Sequence, residues 1–274
     1  MSEPRAPFDN EIIAPGIDPR AIVHERAVLG ERVTVGPWSI IGPGVEIGDD
    51  SWVGPHVVIK GPTRIGRGNR IFQFATVGDD TPALAFGGEE TWLIVGDHNV
   101  IREGVTIHRG TAQDASKTII GNHCLLMAYV HVGHDCVLGD HVIMANNAGV
   151  AGHVSVGDHA NFGGFAAVPQ YRRVGAFTHI AGMSLVLKDV PAYMTVSGNP
   201  ASAIGLNLEG LRRRGYDSTR IDALKAAHKI VYREGRTTKD ALGALESLAA
   251  EDEAVQRFRD SIVDSKLGII RPRS

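Results

Sequence analysis

Four consecutive hexads, VGPWSI (residues 35–40), IGPGVE (41–46), IGDDSW (47–52) and VGPHVV (53–58), decide the fold of this chain. Each hexad begins with a branched aliphatic residue followed by glycine. The six-residue interval continues in both directions, and an apolar residue occupies all twenty-six of its positions. These positions are every sixth residue from Ile17 to Val77, then Val95, Ile101 and Ile107, and then every sixth residue from Ile120 to Val186.

A period of six matches neither the 3.6 of an amphipathic helix nor the 2 of an amphipathic strand. It is typical of a hexapeptide solenoid, a parallel β-helix in which each hexad supplies one short strand and one corner. Three hexads close a triangular coil, so residues 18 positions apart stack, with roughly 4.8 Å between coils. The periodic aliphatic residue points inward, and we expect glycine after it because corners need unusual backbone angles. The period leaves the hand of the coil open.

Interruptions of the period predict the domain organisation. Residues 1–10 are polar and are predicted to be a flexible arm. Residues 11–200 are predicted to form the β-helix, with loops near 82–93 and 110–117. The first loop replaces whole hexads and keeps the register, whereas the second shifts it by one residue.

Residues 201–274 are predicted to form a C-terminal helical domain, with a helical pattern from about Asn207. Asp217-Ser218 and the pair Thr237 and Asp240 are helix-start signals. We expect three helices, whose apolar faces use Ile221, Leu224 and Val231, then Ala241, Leu242, Leu245 and Leu248, then Val255, Phe258 and Ile262.

Composition excludes several classes of protein. The chain has 274 residues and a net charge of −3, which argues against binding nucleic acid by bulk charge. It has no apolar run of about 18 residues and no signal-peptide pattern, which predicts a cytoplasmic protein without a membrane span. Its two cysteines form neither a metal pair nor a disulfide framework.

The 18-residue stacking rule gathers candidate catalytic residues on one outer patch: His134, Asp135, Gly152, His153 and Gln170. An imidazole beside a carboxylate is suited to act as a general base. Gly152 leaves a gap above His134 and offers a backbone N–H as an oxyanion donor. This pattern indicates acyl transfer to a hydroxyl or an amine.

Other interpretations of these residues are open at this point. His131 and His134 are also consistent with plain surface histidines, or with a zinc site at a subunit edge. The run Arg212-Arg213-Arg214 fits either a solvated helix end or a site for a diphosphate or an acidic carrier protein.

Several longer strings resemble one family, the UDP-N-acetylglucosamine acyltransferases of lipid A biosynthesis. The resemblance runs from about residue 17 to the C-terminus. The strings are IFQFA (71–75), IREGVTIHRGT (101–111), LLM (125–127), HVGHDC (131–136), ANNA (145–148), AGHVS (151–155) and NLEGLRRRG (207–215).

The resemblance implies a mainly β fold, a left-handed parallel β-helix with a C-terminal α-helical domain, assembled as a homotrimer. It implies transfer of a 3-hydroxyacyl chain from acyl carrier protein to the 3-hydroxyl of a UDP-amino sugar, without a metal or other cofactor. By motif position, His134 is the general base, Asp135 orients it, and the N–H of Gly152 is the oxyanion donor. The positions matching the family's substrate-binding residues are Gln73, His131, His153, Gln170, Gly182, Asn207, Glu209, Arg213 and Arg214.

The chain departs from the family on the acceptor side. Ala83 and Ala85 stand where the family has an aspartate and a lysine, Pro169 replaces a histidine before Gln170, and Pro200 replaces another near the exit. We therefore expect either an altered acceptor, such as a sugar with a 3-amine, or the ordinary acceptor held differently. Two rival interpretations are a γ-type carbonic anhydrase-like metalloenzyme and a non-catalytic homologue that binds a nucleotide sugar.

Overall fold

The computed structural model describes residues 13–84 and 86–273. The chain divides into two compact units, Met1–Asp135 and Cys136–Ser274. The predicted arm at residues 1–10 and the side chain of Ala85 lie outside the described residues.

The first unit is built from short parallel strands, most of them only two residues long. They are β1 (Ile22–Val23), β2 (Val28–Leu29), β3 (Thr34–Val35), β4 (Ile40–Ile41), β5 (Val45–Ile47), β6 (Trp52–Val53), β7 (Val58–Ile59), β8 (Thr63–Ile65), β9 (Arg70–Ile71), β10 (Thr76–Asp79), β11 (Trp92–Val95), β12 (Val100–Ile101), β13 (Thr106–His108), β14 (Lys117–Ile120), β15 (Leu125–Leu126) and β16 (His131–Val132). Every third strand pairs, which gives three sheets: β1-β4-β7-β10-β13-β16, β2-β5-β8-β11-β14 and β3-β6-β9-β12-β15. This is the triangular coil that the six-residue period predicts.

The sequence offsets between paired strands in the first unit match those predicted from the six-residue period. Ile40 pairs with Val58, 18 positions away. Across the first loop, Arg70 pairs with Val100, an offset of 30 that adds two whole hexads. Across the second loop, Val100 pairs with Leu125, an offset of 25 that adds one hexad and one residue. The first loop therefore keeps the register and the second shifts it, as predicted.

The predicted inward residues are buried from Val35 onward, and most of them have no solvent exposure. Ile17 is 54% exposed because, among the described residues, its coil has a neighbouring coil on one side only. A second inward row, which the sequence analysis missed, lies two residues before the first. Its polar members bond to corners: Ser39 Oγ donates to the Gly54 carbonyl at 2.7 Å and accepts from Val57 N at 3.0 Å.

Packing between coils, not backbone angle, explains several of the glycines that directly follow an inward residue. Gly36 and Gly48 lack positive φ, but a Cβ on either would lie 2.7 Å from the backbone of the next coil. The expectation that corner angles favour glycine after the inward residue is therefore wrong for Gly36 and Gly48, but it holds for Gly78, whose φ is +77°. The left-handed corner positions are instead filled mainly by aromatic and polar residues, such as Trp38, His56 and Phe74 at φ 56–64°.

These left-handed corners stabilise one another by stacking. The ring centroids of Trp38 and His56 lie 5.0 Å apart, and those of His56 and Phe74 lie 5.5 Å apart. A left-handed non-glycine residue costs about 1–2 kcal/mol, and a stacked aromatic pair returns about 0.5–1.5 kcal/mol. Stacking thus offsets much of the strain at each corner.

The second unit continues the same strand pattern. Its strands are β17 (Val137–Leu138), β18 (Ile143–Met144), β19 (Gly149–Val150), β20 (Ser155–Val156), β21 (Asn161–Phe162), β22 (Ala167–Val168), β23 (Arg173–Val174), β24 (His179–Ile180), β25 (Met194–Gly198) and β26 (Ala201–Leu206). Parallel partners are again 18 residues apart, as in Val137 with Ser155, except between β24 and β25, where the offset is 16. Strands β25 and β26 form an antiparallel hairpin across residue 200, where we placed the domain boundary.

Four helices follow the strands in the described part of the chain: α1 (Leu208–Arg213), α2 (Ser218–Tyr232), α3 (Thr238–Glu251) and α4 (Glu253–Val263). Asp217 and Thr237 cap α2 and α3 as predicted, through bonds to the N–H groups of Arg220 and Asp240. The apolar faces of α2 and α4 are buried as predicted, but α3 buries Ala249 in place of Leu242 and Leu248. The short helix α1 was not predicted as a separate element.

Candidate active site

His134 and Asp135 form a hydrogen-bonded pair in the first unit. His134 Nδ1 lies 2.8 Å from Asp135 Oδ2, and the two side chains are 12% and 1% exposed. Asp135 occupies a left-handed corner with φ 56°, which turns its carboxylate back toward the preceding imidazole. A carboxylate at Nδ1 favours the tautomer whose Nε2 accepts a proton, and that is the form a general base requires.

Thr111, which the sequence analysis did not select, holds the carboxylate of Asp135 in place. Its backbone N–H donates to Oδ1 at 2.9 Å and to Oδ2 at 3.1 Å. Its hydroxyl donates to Oδ2 at 2.7 Å. Thr111 is 5% exposed and is the second residue of the second loop. Two sequence signals pointed to it: its position in an insertion that shifts the register, and its place at the end of the family string 101–111.

His131 lies beside this pair. Its Nδ1 is 2.9 Å from the hydroxyl of Thr106 on the neighbouring strand, and its ring centroid is 5.4 Å from that of His108. Burial lowers the pKa of His131, and the nearby His108 and His134 lower it further. His131 is therefore neutral at neutral pH, which suits hydrogen bonding to a substrate better than storing charge.

A charged cluster at the base of the first loop was also missed by the sequence analysis. Lys60 Nζ lies 2.6 Å from Asp79 Oδ1, and burial tends to raise the pKa of Asp79 while bonds from Lys60 and the N–H of Asp80 lower it overall. The buried guanidinium of Arg109 donates to the Gly78 carbonyl and pairs with Asp80. The cluster fixes the strand ends from which the first loop departs.

Three further positions of the predicted substrate site belong to the first unit. Gln73 is half-buried, and its backbone carbonyl accepts from Gly104 N at 3.2 Å. The backbone N–H of Ala83 donates a hydrogen bond to Thr81 Oγ1 at 3.2 Å. Ala85 lies outside the described residues.

In the second unit, Gly152 and His153 lie on one coil and Gln170 lies on the next. The carbonyl of Gly152 accepts from Tyr171 N at 3.2 Å, and the ring of His153 stacks on that of Tyr171 at 4.4 Å. Gln170 is exposed beside this stack. The stacking of Asp135 under His153 joins residues of both units and stays a prediction.

Gly182 is exposed. A Cβ at this position would meet the backbone of Gly164, with the carbonyl oxygen at 3.3 Å and the nitrogen at 3.8 Å. By contrast, a Cβ at neighbouring Gly163 would lie 2.4 Å from the backbone of Gly182. Gly163 is therefore required by packing, whereas a side chain at Gly182 needs the Gly164 carbonyl to shift by only a few tenths of an ångström.

Asn207 has a structural role that the sequence analysis did not predict. Its Oδ1 accepts from Gly210 N at 3.1 Å and caps α1, and its Nδ2 donates to the Phe177 carbonyl at 2.9 Å. Both ends of the carboxamide are thus engaged within the protein.

The other predicted nucleotide-side residues lie along α1. Glu209 and Arg213 form an exposed i,i+4 ion pair at 3.0 Å. Arg214 is half-buried, donates to the carbonyls of Gly210 and His159, and has a pKa lowered by burial. Arg213 is therefore available to a ligand at little cost, whereas Arg214 is anchored.

Two family models match the chain. One, described as "Udp N-acetylglucosamine O-acyltransferase; Domain 2", matches residues 189–270. The other, "Bacterial transferase hexapeptide (six repeats)", matches residues 44–79 and 117–152.

Curated relatives match nearly the whole chain. The acyl-[acyl-carrier-protein]–UDP-N-acetylglucosamine O-acyltransferase of Stutzerimonas stutzeri is 56% identical over 261 residues, which cover 93% of this chain and 99% of the relative. The protein of the same name from Saccharophagus degradans is 52% identical over 255 residues. This chain belongs to the UDP-N-acetylglucosamine O-acyltransferase family. The resemblance in the sequence is confirmed.

Solved structures of the family agree with the fold. The UDP-N-acetylglucosamine O-acyltransferase of Moraxella catarrhalis superposes with a TM-score of 0.92 at 45% identity, covering 93% of this chain and 99% of that one. The corresponding structure from Acinetobacter baumannii gives 0.91 at 46% identity, with the same coverage. The family fold is a left-handed parallel β-helix with a C-terminal helical domain, which confirms the predicted fold class. In the described residues, no helix is both long and apolar enough to cross a bilayer.

Proposed function

We propose that this family member transfers a 3-hydroxyacyl chain from acyl carrier protein to UDP-N-acetylglucosamine, the first step of lipid A biosynthesis. Relatives that bear this activity in their names match 93% of the chain at 52–56% identity. The observation that carries the proposal is the His134–Asp135 pair with its bonds from Thr111. A buried carboxylate that aligns an imidazole is the arrangement that general-base catalysis needs.

In the proposed mechanism, His134 Nε2 takes the proton of the acceptor 3-hydroxyl as its oxygen attacks the thioester carbonyl. The N–H of Gly152 donates to the oxyanion of the tetrahedral intermediate. Collapse breaks the carbon–sulfur bond, and the thiolate leaving group takes the proton from the His134 imidazolium. Every proton is returned, so the cycle needs no cofactor.

Asp135 acts on this step through His134. Its carboxylate keeps Nδ1 protonated and stabilises the imidazolium that forms in the transition state. Thr111 in turn fixes the carboxylate, so the loop that carries Thr111 supports the base without touching substrate. Gln73, His131, His153 and Gln170 line the groove in this proposal.

The binding of the substrates is also part of the proposal. Gly182 leaves room for the acyl tail, and Arg213 and Arg214 lie on the nucleotide side with Glu209 and Asn207. Because the carboxamide of Asn207 is engaged at Gly210 and Phe177, we assign it to holding α1 in place. The arginine run of α1 also attracts the acidic carrier protein, so we expect carrier affinity to fall at high salt.

The acceptor is either UDP-N-acetylglucosamine itself or its analogue with a 3-amine. Ala83 and Ala85 remove a carboxylate and an ammonium that the family uses there, and Pro169 removes an imidazole. The loss of charged contacts of this kind costs about 1.5–3 kcal/mol each unless other residues replace them. Both acceptors suit the same base, because each presents an N–H or O–H to His134.

Assembly and location complete the proposal: a homotrimer in the cytoplasm, with active sites in grooves between subunits. A non-catalytic role as a nucleotide-sugar-binding protein is the second candidate, favoured by the altered first loop. The carbonic anhydrase-like alternative predicts bound zinc, which metal analysis of the purified protein would reveal.

The deciding experiment compares wild type with His134→Ala in an acyl-transfer assay. Donors are 3-hydroxyacyl carrier proteins of several lengths, and acceptors are UDP-N-acetylglucosamine and its 3-amino analogue. Loss of a general base is expected to lower kcat by about 10²–10⁴-fold. Turnover on neither acceptor, with the UDP-sugar still bound, would establish the binding-protein candidate instead.

A further inference from the structure

The base of the first loop carries an exposed carboxylate, that of Asp80, which the proposed mechanism does not use. Asp80 lies between the end of β10 and the loop near 82–93. The preceding acid, Asp79, is 29% exposed and is held by Lys60 Nζ at 2.6 Å and by the N–H of Asp80 at 2.8 Å. Because the Asp80 side chain is 55% exposed, it is the acid of this pair that a ligand meets.

A buried guanidinium fixes the orientation of this carboxylate. Arg109, whose side chain is 7% exposed, pairs through Nη2 with Asp80 Oδ1 and donates from Nη1 to the Gly78 carbonyl. The backbone N–H of Arg109 also donates to the Asp79 carbonyl at 3.1 Å. An ionised carboxylate offers about four lone-pair sites on its two oxygens, and the pairing with Arg109 engages Oδ1. The exposed side of Asp80 therefore keeps acceptor capacity, in an orientation that is set before any ligand binds.

One short segment, residues 108–111, connects Asp80 with the proposed base. His108 Nδ1 lies 2.8 Å from the Asp80 carbonyl, and because a carbonyl only accepts, Nδ1 carries the proton. The ring centroid of His108 lies 5.4 Å from that of His131, which the proposal places in the groove. At the other end of the segment, Thr111 bonds the carboxylate that aligns the base. The base of the first loop and the proposed catalytic pair are thus held by the same four residues.

A hydroxyl group suits this carboxylate better than an ammonium does. The guanidinium of Arg109 already balances the charge of Asp80, so a second cation at this site would gain little. A neutral hydroxyl instead donates a charge-assisted hydrogen bond, which is roughly twice as strong as a bond between neutral groups. Ala83, three residues later in the chain, has no polar side-chain atom that could accept from such a hydroxyl. The chemistry at Asp80 therefore favours a sugar hydroxyl.

We propose that Asp80 binds a hydroxyl group of the acceptor sugar and that Arg109 is the positioning residue that orients it. This inference rests on the proposed function, since it concerns the acceptor of that same reaction. The hydroxyl is the one at position 4 or position 6, which both candidate acceptors share, because His134 activates position 3. Asp80 is then a specificity-determining residue, and an acceptor that lacks this hydroxyl binds more weakly.

The test combines the transfer assay with calorimetric titration of the full-length protein with UDP-N-acetylglucosamine and its 3-amino analogue. In Asp80→Asn the amide oxygen remains as the partner of Arg109, and an NH₂ group replaces the outward oxygen. Both acceptors should then bind about tenfold more weakly, because a charge-assisted hydrogen bond is lost. The KM for the acyl carrier protein and kcat at saturation should stay within about threefold of wild type. Arg109→Lys keeps the charge but loses the guanidinium fork, so the acceptor KM should rise by a smaller factor.

Deoxy acceptors identify the hydroxyl that Asp80 binds. UDP-N-acetylglucosamine that lacks the 4-hydroxyl or the 6-hydroxyl is titrated into wild type and into Asp80→Asn. Removal of the contacted hydroxyl should weaken binding to wild type and leave binding to the variant unchanged, since the two changes delete the same bond. Full additivity of Asp80→Asn with both deoxy acceptors would overturn the proposal.

Asp50→Asn is the matched control. The side chain of Asp50 is 54% exposed and also pairs with an arginine, Arg32, but it lies at the corner between β5 and β6. Unchanged acceptor affinity in Asp80→Asn, an equal loss in Asp50→Asn, or a loss confined to the 3-amino analogue would overturn this inference and leave acyl transfer by the wild type standing. A wild type that neither binds nor acylates either acceptor would overturn the proposed function and this inference together. The Tm of each variant checks that it is folded.

Discussion

Replacement of Thr111 by valine tests whether the second loop supports the proposed base. The substitution keeps the shape of the side chain and removes one hydrogen bond, the 2.7 Å bond from Oγ1 to Asp135 Oδ2. A hydrogen bond to a charged group contributes about 1.5–3 kcal/mol. If all of it is needed to hold His134 in the transition state, kcat falls by about 10- to 150-fold. The backbone N–H of Thr111 still bonds the carboxylate, so we expect the lower half of that range.

The assay is acyl transfer under saturating substrates, with KM and Tm measured on the same protein. Thr111 touches Asp135 and acts through it, so kcat should fall while KM for both substrates stays close to the wild-type value. Thr111→Ser keeps the hydroxyl and should retain kcat within about threefold, which is less than 1 kcal/mol. A structural effect alone would lower Tm without this separation of Ser from Val.

Thr118→Val provides the matched control in the same unit. Thr118 is fully buried in β14, and its hydroxyl has no hydrogen-bond partner among the described residues. Removal of an unpaired buried hydroxyl costs no bond, so kcat should not change and Tm should not fall. Unchanged kcat in Thr111→Val, or an equal loss in Thr118→Val, would refute the reasoning.

Three further predictions concern stability and substrate. Asn207→Ala removes the cap of α1 and the bond to the Phe177 carbonyl, so the free energy of unfolding should fall by about 0.5–2 kcal/mol. Tm should drop by about 2–4 °C for each kcal/mol lost. An unchanged Tm would contradict the capping role. Gly182→Met places a long side chain beside the proposed acyl groove, and its Cβ needs only a small shift of the Gly164 carbonyl, which lies 3.3 Å away. A series of acyl carrier proteins should then show a shift toward shorter chains, with Tm changed by only a few degrees. An unchanged preference would place the tail elsewhere. Burial lowers the pKa of four histidines, so below about pH 6.5 the unfolded state binds more protons than the folded state. The free energy of unfolding is therefore full above that pH and falls on acidification, and Tm should be lower at about pH 5.5 than at about pH 7.5. A higher Tm at the lower pH would contradict this prediction. These histidines are His131, His159, His179 and His228.

The coil was predictable from the sequence because its geometry is repeated. An inward residue recurs every six positions, so a single register error would expose a run of isoleucines and valines, and the pattern is correspondingly strict. For the same reason the offsets of 30 and 25 across the two loops follow from counting alone. The contact between His134 and Asp135 was also within reach, since the two are adjacent in sequence at a corner.

Features that depend on single side chains at the corners were not predictable. Asp135 and His153 have positive φ, at 56° and 62°, although neither is glycine. Stacked neighbours such as His153 and Tyr171 stabilise this conformation, and they lie 18 residues apart in sequence. Local sequence propensity reflects only the energetic cost of positive φ at the corner residue. It carries no information about the stabilising aromatic ring on the next coil. The engagement of Asn207 was hidden similarly, because its partner Phe177 lies 30 residues away.

The second loop links the fold to the proposed chemistry. In a solenoid of uniform hexads, only residues separated from His134 by multiples of 18 positions would lie at the corner beside it. The backbone groups of those residues would already be hydrogen-bonded between coils. The seven additional residues between β13 and β14 release one backbone N–H and one hydroxyl from that constraint, and both reach Asp135 from Thr111. A carboxylate that is 1% exposed requires such donors, since a buried charge without them is strongly destabilised. The one-residue shift in register therefore marks, in the sequence, the irregular segment of the coil that holds the Asp135 carboxylate beside the proposed base, His134.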